Sequence, residues 1–158
     1  MRKQKGFSLI ELLIVVAIIL IIAAIAIPNL LRSRMAANEA SAVGSVRTIN
    51  TAEVTYASTY PNCGFTTLAI LGTTATTATS SAPGIVDSVM GNGTKSGYAL
   101  TTPNMTVSCA VPVPTYTVIA APVTQGTTGQ RSFFSDATGV IRYATGTTSA
   151  NSADSALQ

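Results

Sequence analysis

Side chains that commonly perform catalysis or bind metals are few in this sequence and widely separated. The 158 residues include no histidine, two cysteines and six carboxylates. Ser–His and Cys–His nucleophile pairs are therefore impossible, and two cysteines alone supply too few ligands for a metal site. Glu39 and Glu53 lie on a predicted helix, and three aspartates stand singly in turn-like surroundings, so no pair of carboxylates suits glycoside hydrolysis. We expect a protein that is not an enzyme and that needs no cofactor or metal.

One carboxylate, Glu11, has unusual neighbours. It is the single ionisable residue in the 21-residue run FSLIELLIVVAIILIIAAIAI, residues 7–27. A helix of this length spans roughly 30 Å, which matches the hydrocarbon core of a bilayer. A carboxylate inside that core costs about 2.5–3.5 kcal/mol, which indicates a function and a cationic partner. The run contains no lysine or arginine, so we expect a partner that is not local.

Three interpretations of this run are possible. Two of them, a secretory signal peptide and a plain membrane anchor, are not specific to one protein family. A secretory signal peptide has a shorter apolar region, about 7–15 residues, followed by a small-residue cleavage site that is not evident here. A plain membrane anchor explains the length but not Glu11. The basic cluster RKQK ahead of the run favours a cytoplasmic N-terminus, although Arg32 and Arg34 beyond it weaken this asymmetry.

The third interpretation comes from the start of the run. The sequence KGFSLIE at residues 5–11, followed by an unbroken aliphatic stretch and Pro28, closely resembles the class III leader of type IV pilins and pseudopilins. In that family a membrane peptidase cuts after the glycine and methylates the new N-terminal amine. The resemblance implies cleavage between Gly6 and Phe7 and N-methylation of Phe7. It matches Glu11 and Pro28 to the glutamate and proline of the family, and it is dense only over residues 5–28.

The leader motif has a physical rationale in filament assembly. Gly6 lets an extended backbone enter a protease cleft unhindered. Cleavage removes cations that would be costly to bury in an apolar filament core and creates a positive amine at Phe7. If that amine meets Glu11 of a neighbouring subunit, a wrong axial register leaves two unpaired buried charges, a penalty of several kcal/mol. Glu11 and Phe7 are thus predicted to set the register, and Pro28 is predicted to break or kink the helix.

Charge and hydropathy indicate what surrounds the chain. The helix at 7–28 is apolar on every side, as expected for a helix buried in lipid or among its own kind.

The net charge of +3 comes from the basic cluster, because residues 7–158 carry six basic and six acidic side chains. A basic surface for nucleic acid is therefore not supported.

The sequence predicts an α+β fold in four parts. These are a cleaved leader at 1–6, a transmembrane or filament-core helix at 7–28, an amphipathic half of the same helix at 29–61, and a β-rich head at 62–158. In the amphipathic half the charged residues are expected to lie mostly on other faces than the apolar one: Arg32, Arg34, Glu39, Arg47 and Glu53. The helix is expected to end at Tyr60, because a residue before proline avoids the helical region. A small antiparallel sheet is expected to pack on this half.

Several features of the head can be predicted individually. Strands are predicted at 98–102, 105–111, 116–121, 132–135 and 140–144, with a hairpin loop at 136–139 capped by Asp136. The threonine-rich stretch 73–81 is predicted to be an exposed loop, and 151–158 a loose tail. The predicted core comprises Val54, Tyr56, Phe65, Leu68, Tyr98, Val118 and Phe133.

Two further sets of residues are candidates for covalent modification. Cys63 and Cys109 suggest one disulfide in an exported domain, with two free thiols in a reducing compartment as the alternative. Many pilins place their disulfide nearer the C-terminus, so this spacing leaves the subfamily open. Asn92 and Asn104 fit the N-glycosylation pattern N-x-[ST], and unmodified polar loops are the alternative.

Together these features predict a major pilin that packs with copies of itself into a type IV pilus. The partners expected from the resemblance are prepilin peptidase, the inner-membrane assembly machinery and, before assembly, the lipid bilayer. The precursor would lie in the inner membrane and the product in an extracellular filament. A pseudopilin of a type II secretion system in a periplasmic pseudopilus is the first alternative, and a membrane-anchored binding module that never polymerises is the second.

Overall fold

The structure is a computed structural model that describes residues 8–103, 105, 109–146 and 149–157. Its longest element is the helix α1, Leu9–Thr59, with 51 residues. The chain divides into two compact units between Arg34 and Met35, so that α1 contributes to both.

The first unit consists of the initial turns of α1, which form because aliphatic side chains and alanines dominate the sequence. Pro28 lies inside the helix, and helical residues continue on both sides of it. The helix therefore continues beyond Pro28, as expected from the sequence. Proline removes the hydrogen bond to the carbonyl of Ala24, but the neighbouring turns keep theirs. A kink at Pro28 stays a prediction.

The second unit begins with the remaining turns of α1, and one stripe of that helix is buried. The buried positions follow one another in steps of three and four residues: Glu39, Ala42, Val46, Ile49, Glu53 and Tyr56. This spacing places side chains on one helical face, which confirms the amphipathic pattern. Of the five charged residues expected mostly on other faces, Glu39 and Glu53 lie on the buried face and the three arginines are exposed. Val54, predicted in the core, is 58% exposed.

A six-stranded antiparallel sheet packs on this stripe, and the predicted α+β fold is confirmed. Its strands are β3 (Thr94–Lys95), β4 (Tyr98–Thr101), β5 (Thr117–Pro122), β6 (Arg131–Asp136), β7 (Arg142–Thr145) and β8 (Ser155–Ala156). They pair in sequence order, so every neighbour is also the next strand along the chain. The core forms where alternate residues of the central strands face α1, among them Tyr98, Leu100, Val118, Ala120 and Phe133.

Between α1 and the sheet the chain forms short elements that the sequence analysis did not predict. They are α2 (Leu68–Leu71), β1 (Thr74–Thr79), β2 (Ala82–Pro83) and α3 (Ser88–Gly91). The stretch predicted as a loop at 73–81 is exposed, as expected, but it contains β1 and pairs with β2. Threonine favours extended backbone, so a threonine-rich sequence is compatible with a strand as well as with a loop.

The C-terminal residues also differ from the prediction of a loose tail. β8 adds to the edge of the sheet beside β7, and the Leu157 amide donates to the Ile141 carbonyl at 2.7 Å. Leu157 packs against the hydrophobic core. Of the strand predicted at 105–111, only Met105 and 109–111 are described, and these are not in a strand. The other four predicted strands correspond to β4, β5, β6 and β7.

Candidate processing and assembly segment

The first unit presents an apolar helix without any covering surface in the monomer. From residue 9 to residue 34 every side chain is exposed except that of Ala23, which is half-buried. Leu9 is 77% exposed and Leu30 is 69% exposed, whereas large aliphatic side chains in a folded core are buried. We call residues 9–31 the apolar segment. α1 is long and apolar enough to cross a membrane, with a mean hydropathy of 3.3 over its most apolar window.

Glu11 lies in the first turn of α1, within the apolar segment, and is exposed. The positive end of the helix dipole favours a carboxylate at this position. Among the described residues it has no ion-pair partner. Its predicted partner, the amine of Phe7, and the cleavage position at Gly6 lie outside the described residues.

The second unit uses its carboxylates to join its own elements. Glu39 accepts from the Gln130 amide at 2.8 Å and from the Arg131 amide at 3.2 Å, and its second oxygen accepts from Arg131 Nε at 2.7 Å. These contacts join α1 to the start of β6. Beside them, burial raises the pKa of the Tyr98 hydroxyl to about 12, and that hydroxyl donates to the Arg131 carbonyl at 2.8 Å.

Glu53 is fully buried under the head, where one of its oxygens accepts from the Thr66 amide at 3.0 Å. The other oxygen has no hydrogen-bond partner among the described residues. Burial raises the pKa of Glu53 to about 7, although the hydrogen bond from Thr66 opposes that shift. A buried carboxyl group whose pKa is about 7 therefore connects α1 to the segment that follows Cys63.

The aspartates stabilise local turns. Asp87 caps α3 by accepting from the Met90 amide at 2.7 Å, and this bond holds the pKa of Asp87 below its usual value. Asp136 accepts from the Thr138 amide at 2.9 Å, which confirms its predicted place in the hairpin loop. In the described part of the chain no three acidic or metal-binding side chains converge.

The two cysteines and one of the two candidate glycosylation sites lie within the described residues. Cys63 and Cys109 form the predicted disulfide, which joins the segment after α1 to a turn that precedes β5. Asn92 caps the C-terminal end of α3 and is exposed, so a glycan there stays a prediction. Asn104 lies outside the described residues.

Comparison with known proteins finds similarity over the N-terminal part of the chain. A family model described as the prokaryotic N-terminal methylation motif matches residues 1–27. The chain is 67% identical over 39 residues to the type IV wide pilus major component PilA4 of Thermus thermophilus. Over its N-terminal part the chain is therefore similar to a type IV pilin.

A second pilin gives the same result. The type IV major pilin protein PilA of Myxococcus xanthus is 43% identical over 54 residues. The matches cover 25% and 34% of this chain, and 30% and 24% of the Thermus and Myxococcus pilins respectively. The chain thus matches less than a third of the length of these relatives. No solved structure matches the chain significantly.

The functional residues that could not be predicted from the sequence are the buried acids of the helical stripe, Glu39 and Glu53. Glu39 and Glu53 continue the three-and-four spacing of the apolar residues Ala42, Val46 and Ile49. That spacing was the available signal, because a charged residue in register with a buried stripe must find polar partners in the fold. Neither partner, the start of β6 or the Thr66 amide, is evident from local sequence.

Proposed function

We propose that this protein is a pilin, the major subunit of a type IV pilus. Cleavage between Gly6 and Phe7 and N-methylation of Phe7 would convert the precursor into the assembling form. The observation that carries the proposal is the apolar segment, which is exposed in the monomer and overlaps the matched methylation motif over residues 9–27. The names of the two relatives, both major pilins, support the choice of a major subunit.

The exposed surface of the apolar segment supports a role in both membrane and filament. Its side chains are apolar on all sides, so lipid tails and copies of the same helix offer equivalent surroundings. A subunit stored in the inner membrane can therefore move into an extracellular filament without exposing a polar helix face to lipid. The partners of this scheme are prepilin peptidase, the membrane assembly machinery and other copies of the chain.

Glu11 has a specific role in this scheme. As the carboxylate of the apolar segment it needs a cation once water is excluded, and the described residues offer none. The methylated amine of Phe7 on an incoming subunit is that cation. Pairing of the two groups would set the axial register of each added subunit.

The test is N-terminal sequencing and intact-mass measurement of fibres sheared from the native cells. We expect an abundant chain that begins at methylated Phe7. A matched control is Gly6→Val, which blocks the cleft at the cleavage position and should leave an unprocessed chain in the membrane. An unprocessed native chain would contradict the proposal in favour of an anchored module. A processed chain that never appears in sheared fibres would indicate a pseudopilin instead.

A further inference from the structure

Two arginines follow the apolar segment. Arg32 and Arg34 are both exposed, and neither forms an ion pair with another described residue. Among the described acids, Glu39 pairs with Arg131 and Asp87 pairs with Lys95. The two guanidinium groups are therefore available to an anionic partner from outside the chain.

The position of the arginines along α1 identifies a plane in which this partner should lie. From Leu9 to Leu31 the helix rises about 33 Å, slightly more than a hydrocarbon core of about 30 Å. Arg32 is the next residue, and Arg34 lies about 3 Å further along the axis. When the apolar segment crosses a bilayer, both side chains are at the level of the headgroup phosphates of the far leaflet. Arginine binds phosphate oxygens through two parallel hydrogen bonds.

The angle between the arginines identifies the kind of partner. Each residue turns the helix by about 100°, so Arg32 and Arg34 point to nearly opposite sides of α1. One face of a neighbouring protein can reach only one of them. A lipid leaflet surrounds the helix and can reach both.

We propose that Arg32 and Arg34 bind phospholipid headgroup phosphates of the far leaflet and fix the depth of the membrane-inserted subunit. This inference rests on the membrane storage of the subunit in the proposed function. Extraction into a filament would have to break these contacts. The phosphate contacts would therefore hold the subunit at constant depth until the assembly machinery acts.

The experiment is solid-state NMR of the full chain, dilute in phosphatidylcholine vesicles and phosphate-free buffer. With ¹³C at the guanidinium carbons, dephasing by ³¹P reports arginines that contact lipid phosphates. Arg2→Lys in every sample removes the leader guanidinium. We expect clear dephasing in this background, a loss of about threefold or more in Arg32→Gln/Arg34→Gln, and no loss in the matched control Arg47→Gln, another exposed arginine of α1.

Insertion is checked in the same samples by resistance to carbonate extraction, so the two proposals fail differently. A chain that inserts but shows equal dephasing with and without the two arginines overturns the phosphate contacts alone. Loss of dephasing in Arg47→Gln, but not in Arg32→Gln/Arg34→Gln, also overturns the proposed phosphate contacts. A chain that does not insert overturns both the phosphate contacts and membrane storage.

Discussion

The two parts of α1 differ in what covers their apolar side chains. In the second unit a stripe that includes Val46, Ile49 and Tyr56 is fully buried beneath the head. In the first unit Leu9, Ile10 and the following aliphatic residues remain exposed. In the second unit the apolar face of α1 is therefore covered by the head of the same chain. In the first unit the apolar side chains of α1 have no such cover among the described residues.

The glutamates of the two units differ in the same way, in whether the chain itself supplies their partners. Glu39 and Glu53 accept hydrogen bonds from backbone amides of the head, so their cost of burial is partly offset inside the monomer. Glu11 has no such donor among the described residues. Substitutions in the second unit should consequently change stability, whereas substitutions in the first unit should change assembly.

The largest effect is expected for Glu11→Ala. We predict that the variant inserts in the membrane and that its head unfolds at the wild-type temperature, because Glu11 belongs to the first unit and the head to the second. Filament yield should fall by about tenfold or more, since the amine of each added subunit loses its counter-charge. Quantification of sheared pilin against membrane pilin measures this yield. Normal yield from Glu11→Ala would contradict the register role.

The next effect concerns the disulfide. Replacing both cysteines, Cys63→Ser/Cys109→Ser, should lower the free energy of unfolding of the second unit by about 2–5 kcal/mol, because the bond restricts the unfolded chain. Urea denaturation of the full chain in detergent, with the reduced wild type as control, measures the loss. An unchanged midpoint in the double variant would show that the bond does not stabilise the head.

A third prediction concerns pH and Glu53. Its folded pKa of about 7 lies above the ordinary value of 4.5. Between these values the folded state holds a proton that the unfolded state releases. The contribution of Glu53 to stability should therefore be greatest below pH 4.5, fall as the pH rises towards 7, and level off above it. The fall attributable to Glu53 is on the order of 3 kcal/mol.

Glu53→Gln is the control for this pH dependence. Glutamine keeps an oxygen for the Thr66 amide and does not titrate, so the fall between pH 4.5 and 7 should be smaller in this variant. Unfolding free energies of both proteins across this range decide the point. Parallel pH profiles would mean that Glu53 does not titrate near neutrality.

The smallest effect is expected for Glu39. Glu39→Ala leaves two backbone amides without their acceptor and should destabilise the second unit by about 1–3 kcal/mol, discounted because Arg131 reaches solvent. Glu39→Gln should lose less, since its carbonyl oxygen can still accept from an amide. Thermal unfolding measures both. If Glu39→Ala reduced filament yield at unchanged stability, the division between the two units would be wrong.

The sequence predicted the apolar segment and the position of Glu11 well because both follow from composition and spacing along one helix. The same holds for the end of α1, which the structure places at Thr59, just before the Tyr60–Pro61 pair. The disulfide also followed from its two cysteines. These features depend on local chemistry.

Features that depend on distant contacts were less predictable. The Glu39 site is formed by residues about ninety positions away, and no local pattern specifies that pairing. β1 was missed because threonine-rich sequence suits a loop or a strand equally. β8 is only two residues long and is defined by its pairing with β7. Sequence analysis therefore predicted the helix better than the details of the head.

Electron cryomicroscopy of fibres sheared from the native cells tests the central claim most directly. We predict a fibre core built from the apolar segments of many copies, with Glu11 of one subunit beside the N-terminal amine of Phe7 in another. The head should keep the α1 contacts of Glu39 and Glu53. A fibre whose core is built from another part of the chain, or in which the apolar segment faces solvent, would contradict the account.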